Sequence, residues 1–190
     1  MRPLPPYSYV PGHEHPHPVA DPRGHLVNAP TPIPLAVDRL PTEPFSRHEA
    51  IAALLAATPD WLHALDLFNG GYAWEAHEAW ERFWNELGRT TPEARFVQGL
   101  IHLAAACVKI REGKPEGVSR HTKRARELLG GLSATTHGDA GSERCAPLGL
   151  APESVAGVLR ELEHYKPECW HTSRTPVVRV LAAGLRLDAE

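Results

Sequence analysis

The residues best suited to chemistry lie in one short run, Trp74-Glu75-Ala76-His77-Glu78-Ala79-Trp80-Glu81, with Trp84 one turn later. His77 and Glu81 are spaced i,i+4, so on a helix they share a face and can chelate one ion, with Glu78 as a further ligand or a base. With His77 at zero on a helical wheel, Glu81 falls at about 40°, Trp74 at about 60° and Glu78 at about 100°. Ala73, Ala76, Trp80, Trp84 and Leu87 gather between about −20° and −100°, which predicts the buried stripe of this helix. An imidazole and two carboxylates beside three indoles must pair, shift their proton affinity or bind a cation, because a lone buried charge is expensive. HEAWE is not the zincin HExxH, since Glu81 stands where the second histidine belongs. The Glu and Glu-x-x-His order that holds iron or manganese pairs between facing helices is not reproduced either.

Two readings follow. In the first, His77, Glu81 and His102 ligate a divalent metal (zinc, manganese or iron), or the same cluster takes a small polar ligand without one. Glu78 and Glu81 are then the acid–base groups, and Gln98, His102, Trp74 and Trp84 line the ligand site. In the second, the cluster is a buried hydrogen-bond network that only fixes helix packing, His77 with Glu81 or Gln98, and Glu78 with Arg82 at the surface. The substrate stays open on both.

Helices must position these groups, and the chain punctuates six. Ser46 and Glu49 form a capping box that predicts a helix over 46–57. Pro59 ends it, and Asp60 is expected to cap a second helix through Phe68, followed by Asn69-Gly70-Gly71. The third spans 72–87 and ends at Gly88. The fourth opens with Thr91 as cap and Pro92 in the first turn, and runs to Gly113. A fifth extends from Pro115 to Gly130-Gly131, and a sixth from Pro152 to before Pro167. The tail, 168–190, holds Val177-Val178-Arg179-Val180 and reads equally as strand or helix. No run alternates with period two for long enough to build a sheet, so the expected fold is an all-α bundle of five to six helices.

The fourth helix, RFVQGLIHLAAACVKI, is apolar nearly all round, as a central helix should be. Gln98, His102 and Lys109 form its one polar line, within about 40° of one another. Turned inward, that line brings Gln98 and His102 against His77 and Glu81. Gly99 and Ala104-Ala105-Ala106 allow a neighbouring helix to approach closely. The fifth helix groups Arg120, His121, Lys123, Arg124 and Arg126, a solvated face or a patch for phosphate or an acidic partner.

Phe68-Asn69-Gly70-Gly71-Tyr72, the Trp74–Glu81 run with Trp84, and Phe96-Val97-Gln98-Gly99-Leu100-Ile101 with Leu103-Ala104-Ala105 resemble the signature of domain-of-unknown-function family 309. The resemblance covers about residues 60–130. It implies a compact all-α fold with His77, Glu78 and Glu81 on adjacent turns, and no established activity. Lys109 departs from it where histidine is commoner, and Lys114 where asparagine is usual. A metal that used a histidine at 109 lacks that ligand here.

Composition bounds the rest. The chain has 190 residues, 42% hydrophobic and 23% charged, with net charge −3. These proportions exclude wholesale disorder, and the charge argues against a nucleic-acid binder driven by phosphate neutralisation. Cys107, Cys145 and Cys169 are too few and too scattered for a disulfide framework or a metal knuckle. No apolar run of 18 residues and no signal-peptide core occurs, so a cytoplasmic location without membrane insertion is expected. Residues 1–45 carry 12 of the 19 prolines and read as an extended arm ahead of a 46–190 bundle, with 133–150 as a mobile loop. The arm is disordered by composition unless Tyr7, Tyr9, Val10 and Leu26 pin it in a groove, where it could bring His17 or His25 to the His77 cluster. His13, His15 and His17 form a weak metal-binding tract or an exposed one with no dedicated role. Trp61, Trp74, Trp80, Trp84 and Trp170 make a homo-oligomer the expected assembly, some of them at its interface.

Overall fold

The structure is a computed structural model that describes residues 3–129, 148–166 and 172–188. Its elements are all helical: α1 Pro44–Ala56, α2 Pro59–Asn69, α3 Ala73–Glu86, α4 Pro92–Arg111, α5 Pro115–Leu129 and α6 Pro152–Glu163, with a single 3₁₀ turn at Val37–Arg39. The all-α bundle expected from the punctuation is what forms. Among the described residues, no single helix is long and apolar enough to cross a membrane.

Local chemistry sets the helix ends, in two places differently from expectation. α1 begins at Pro44, not Ser46. Glu43 caps it, its carboxylate accepting from the Phe45 and Ser46 amides. A carboxylate at the cap satisfies two first-turn donors at once, which the proposed Ser46 box cannot improve on. At α2 the cap position is Thr58, whose hydroxyl instead turns back to the Leu54 carbonyl, while Asp60 is drawn 3.1 Å from Arg82 of α3. Thr91 caps α4 as expected, accepting from the Ala94 amide.

α4 is the central rod. Its residues from Ala94 to Ile110 are buried apart from Arg95, Gln98, His102 and Lys109, and it packs chiefly on α5 and α3. Gly99 permits the α4–α5 approach: a Cβ there would lie 2.5 Å from Leu129. Cys107 sits in this core, and burial pushes its thiol far above the usual range. On α3 the buried stripe is Ala73, Ala76, Trp80, Phe83 and Leu87. Phe83 takes the place expected of Trp84, which is half-buried with its indole N–H on the Arg89 carbonyl. Trp61 and Trp80 are fully enclosed within the chain's own core, so neither is available to an interface. Trp170 lies outside the described residues, as do Cys145, Cys169 and residues 133–147 of the expected loop.

The N-terminal arm lies against the bundle. Tyr7, Ser8 and Val10 are buried, the Tyr7 hydroxyl donates to the Pro16 carbonyl, and the Ser8 amide donates to the Pro176 carbonyl. The tail from Thr172 to Asp188 is neither strand nor helix. Its one ladder contact is an antiparallel bridge between Leu187 and Leu150. Leu148, Leu150 and Leu185 are buried, so apolar side chains rather than a sheet anchor these segments.

Candidate functional site

α3 carries the site because its run is amphipathic on a narrow stripe. Ala73, Ala76 and Trp80 dock on the core and leave the His77–Glu81 edge at the boundary with solvent. Donor atoms of His77, Glu78 and Glu81 lie within 4.8 Å of one another. His77 Nδ1 is 3.4 Å from Glu78 Oε1, and Nε2 is 4.0 Å from Glu81 Oε1. The side chains are 25%, 38% and 44% exposed, so the set is a rim feature and not a sealed network. No hydrogen bond joins them, and His77 Nδ1 is buried without a hydrogen-bond partner.

The polar line of α4 faces α5. His102 Nδ1 lies 3.0 Å from His121 Nδ1, one nitrogen donating and the other accepting. Burial lowers the proton affinity of His102, with the charges of Arg124, His77 and Arg120 adding to it. His121 is pulled down to about 4, mainly by burial and then by His102. Both rings are therefore neutral at pH 7, and His77 is within electrostatic reach of each. Gln98 is half-buried one turn before His102 and takes no hydrogen bond from the cluster. Lys109 pairs with Glu112 at 2.6 Å and packs its stem over Gly117 of α5. Arg82, expected beside Glu78, is held by Asp60 and stands 3.8 Å from Glu86.

A second acid was missed. Glu75 is 3% exposed and accepts from the Ser8 hydroxyl at 3.0 Å and from the Tyr9 amide at 2.9 Å. Desolvation raises its carboxyl to about 7, against the opposing hydrogen bonds of Tyr9 and Ser8, with Glu78 adding to the rise. His25 Nε2 stands 3.5 Å away, and burial lowers the proton affinity of that ring. The arm thus folds back as one of its alternatives held, but it delivers His25 to Glu75 rather than to His77. His17 packs edge-on against Trp74, its Nδ1 accepting from the Val19 and Ala20 amides, and Tyr9 meets the same indole at 5.3 Å. His15 stacks on Tyr7. The tract is built into the arm. On the wheel Glu75 falls opposite the apolar stripe, so only the packing of a distant segment reveals its burial.

An all-α bundle with a His/Glu set on its third helix, flanked by a pair of histidines and a buried acid, defines the class of the protein. Residues 61–121 match the family model described as Domain of unknown function (DUF309), which supports the resemblance of this segment to that family. No curated protein and no solved structure matches the chain. The match holds Glu75, His77, Glu78, Glu81, Gln98, His102 and His121. The arm that encloses Glu75, and the tail that the arm bonds to, lie outside it.

Proposed function

We propose that this protein is a divalent-metal-binding helical module whose ligands come from His77, Glu78 and Glu81. The observation that carries the reading is the convergence of three donors within 4.8 Å without a hydrogen bond between them, His77 Nδ1 standing 3.4 Å from Glu78 with no hydrogen-bond partner. An ion on one ring nitrogen leaves the other facing a carboxylate, the arrangement that orients metal-binding imidazoles. One imidazole with carboxylates suits manganese, iron or zinc. Ligands from a single helix leave positions for water, and His102 joins them only by turning away from His121. An ion held by His77 and Glu81 would supply an acidified water, and Glu78 would then be the carboxylate to accept its proton rather than a ligand. The packing alternative finds less support, because a network that fixes helices should satisfy its own members.

Elemental analysis tests this on untagged protein loaded with zinc, manganese or iron and then dialysed. About one equivalent should remain, and His77→Ala or Glu81→Gln should each weaken binding at least about tenfold. Retention of the ion by both variants, or no ion on the parent protein, overturns the reading. Metal on the arm histidines is unaffected by these changes and so is told apart.

A further inference from the structure

A cleft of about 960 Å³ opens between the arm and α2–α3, on the side of α3 away from His102. That is the size of a small-molecule site, and like one it combines apolar walls with a few polar groups. Pro5, Leu26 and Pro30 of the arm face Leu67 and Ala79 of the bundle. His25, Glu75 and Glu78 are among the polar lining, together with the Asp60–Arg82 pair. The His25 side chain is only 9% exposed, and neither ring nitrogen has a hydrogen-bond partner. Glu75 at 3.5 Å stands too far for a good hydrogen bond, a buried imidazole without one is costly, and a ligand that supplies a donor lowers that cost.

The charge of the lining selects the ligand. Arg82 is the one cation among the described lining residues outside the histidines, and Asp60 at 3.1 Å and Glu86 at 3.8 Å already match it. Among the described residues, no arginine or lysine pairs with Glu78 or Glu75. Carboxylates and a neutral imidazole offer acceptors, whereas an ammonium offers three donors and no acceptor. The proline and leucine walls remove an apolar body from water.

We propose that the cleft beneath the arm binds a small organic ammonium, its charged group held by Glu78 next to His25 and Glu75, and its apolar body against the arm prolines and Leu67. The site is separate from the metal-binding reading and shares only Glu78 with it.

Calorimetry on the full chain, in metal-free buffer near neutral pH, can compare benzylamine with benzyl alcohol and benzoate. Benzylamine should bind at least about tenfold more tightly than either, the worth of one charge-assisted hydrogen bond. Ala79→Phe fills the cleft from α3 and should abolish binding. Leu26→Trp fills it from the arm and serves should the first variant lose its native circular dichroism. Glu78→Gln should weaken benzylamine at least about tenfold. His77→Ala should leave benzylamine binding unchanged while it removes any bound metal. Benzoate or benzyl alcohol binding as tightly as the amine overturns the proposal, and so does undiminished benzylamine binding in a folded cleft-filling variant. Loss of amine binding in His77→Ala overturns it too, since it transfers the amine to the His77 set. Absence of metal binding alone leaves it standing.

Discussion

Glu75→Gln should stabilise the protein by about 3 kcal/mol at pH 8 and by less than about 1 kcal/mol at pH 5. Unfolded, this carboxyl titrates near 4.5; enclosed by the arm it titrates near 7. Between those values the unfolded chain releases a proton that the native state keeps, so the native state binds more protons. Stability therefore falls as pH rises through this window and levels off above it. The buried histidines His25, His102 and His121 act in the opposite sense, because their lowered proton affinity costs stability as pH falls below about 6.5. Comparing variant with parent cancels the histidines and isolates Glu75. Glutamine keeps an acceptor for the Tyr9 amide, and its NH₂ can donate to Ser8 Oγ; the Ser8 hydroxyl hydrogen then loses its acceptor, a cost that does not vary with pH. Urea unfolding of both proteins from pH 5 to pH 8 measures the difference. A gap that does not change across that range means Glu75 titrates as an exposed acid and the arm does not enclose it.

That contrast marks where the sequence is informative and where it is not. Helices α2 to α6 are legible because proline, glycine and threonine punctuate them locally, and α4 reads as central because it is apolar nearly all round. The approach of His77, Glu78 and Glu81 is legible because it belongs to a single helix and follows from spacing alone. The polar line of α4 turns to His121 of α5, and this was not legible, since a wheel gives the direction of a face but not which helix meets it. Glu75 stayed hidden for the same reason at longer range. Its enclosure comes from Ser8 and Tyr9, 67 and 66 residues away, in a segment whose prolines by composition suggest disorder. The tail was left undecided, and it forms neither regular structure because side chains of the bundle satisfy its backbone groups.

The Asn69-Gly70-Gly71 turn is one place where the bundle satisfies the tail, and changes there should be among the most damaging in the chain. Asn69 clasps Leu185 reciprocally, its Nδ2 donating to the Leu185 carbonyl at 2.7 Å and its Oδ1 accepting from the Leu185 amide at 2.8 Å. Asn69→Ala strands both groups beside a buried side chain and should cost about 2–4 kcal/mol. Gly71 has φ +90°, and a Cβ would lie 2.7 Å from the Val178 carbonyl oxygen and 2.8 Å from the Arg179 nitrogen. Backbone cannot give way as a flexible side chain can, so Gly71→Ala should cost about 3 kcal/mol or more, by left-handed strain and by displacing the tail. The double variant should cost less than the two added together, because the tail can be released only once. The consequence should reach the site. The Pro176 carbonyl of the tail accepts from the Ser8 amide, and buried Arg111 holds the Ser173 and Thr175 carbonyls next to it. Ser8 in turn donates to Glu75. Releasing the tail should therefore loosen the arm and return the Glu75 carboxyl toward ordinary acidity. In a Gly71→Ala background, the gain from Glu75→Gln at pH 8 should shrink to under about half of its value in the parent. A gain of undiminished size shows that the arm holds Glu75 without the tail, and breaks this chain of coupling at its Pro176–Ser8 link.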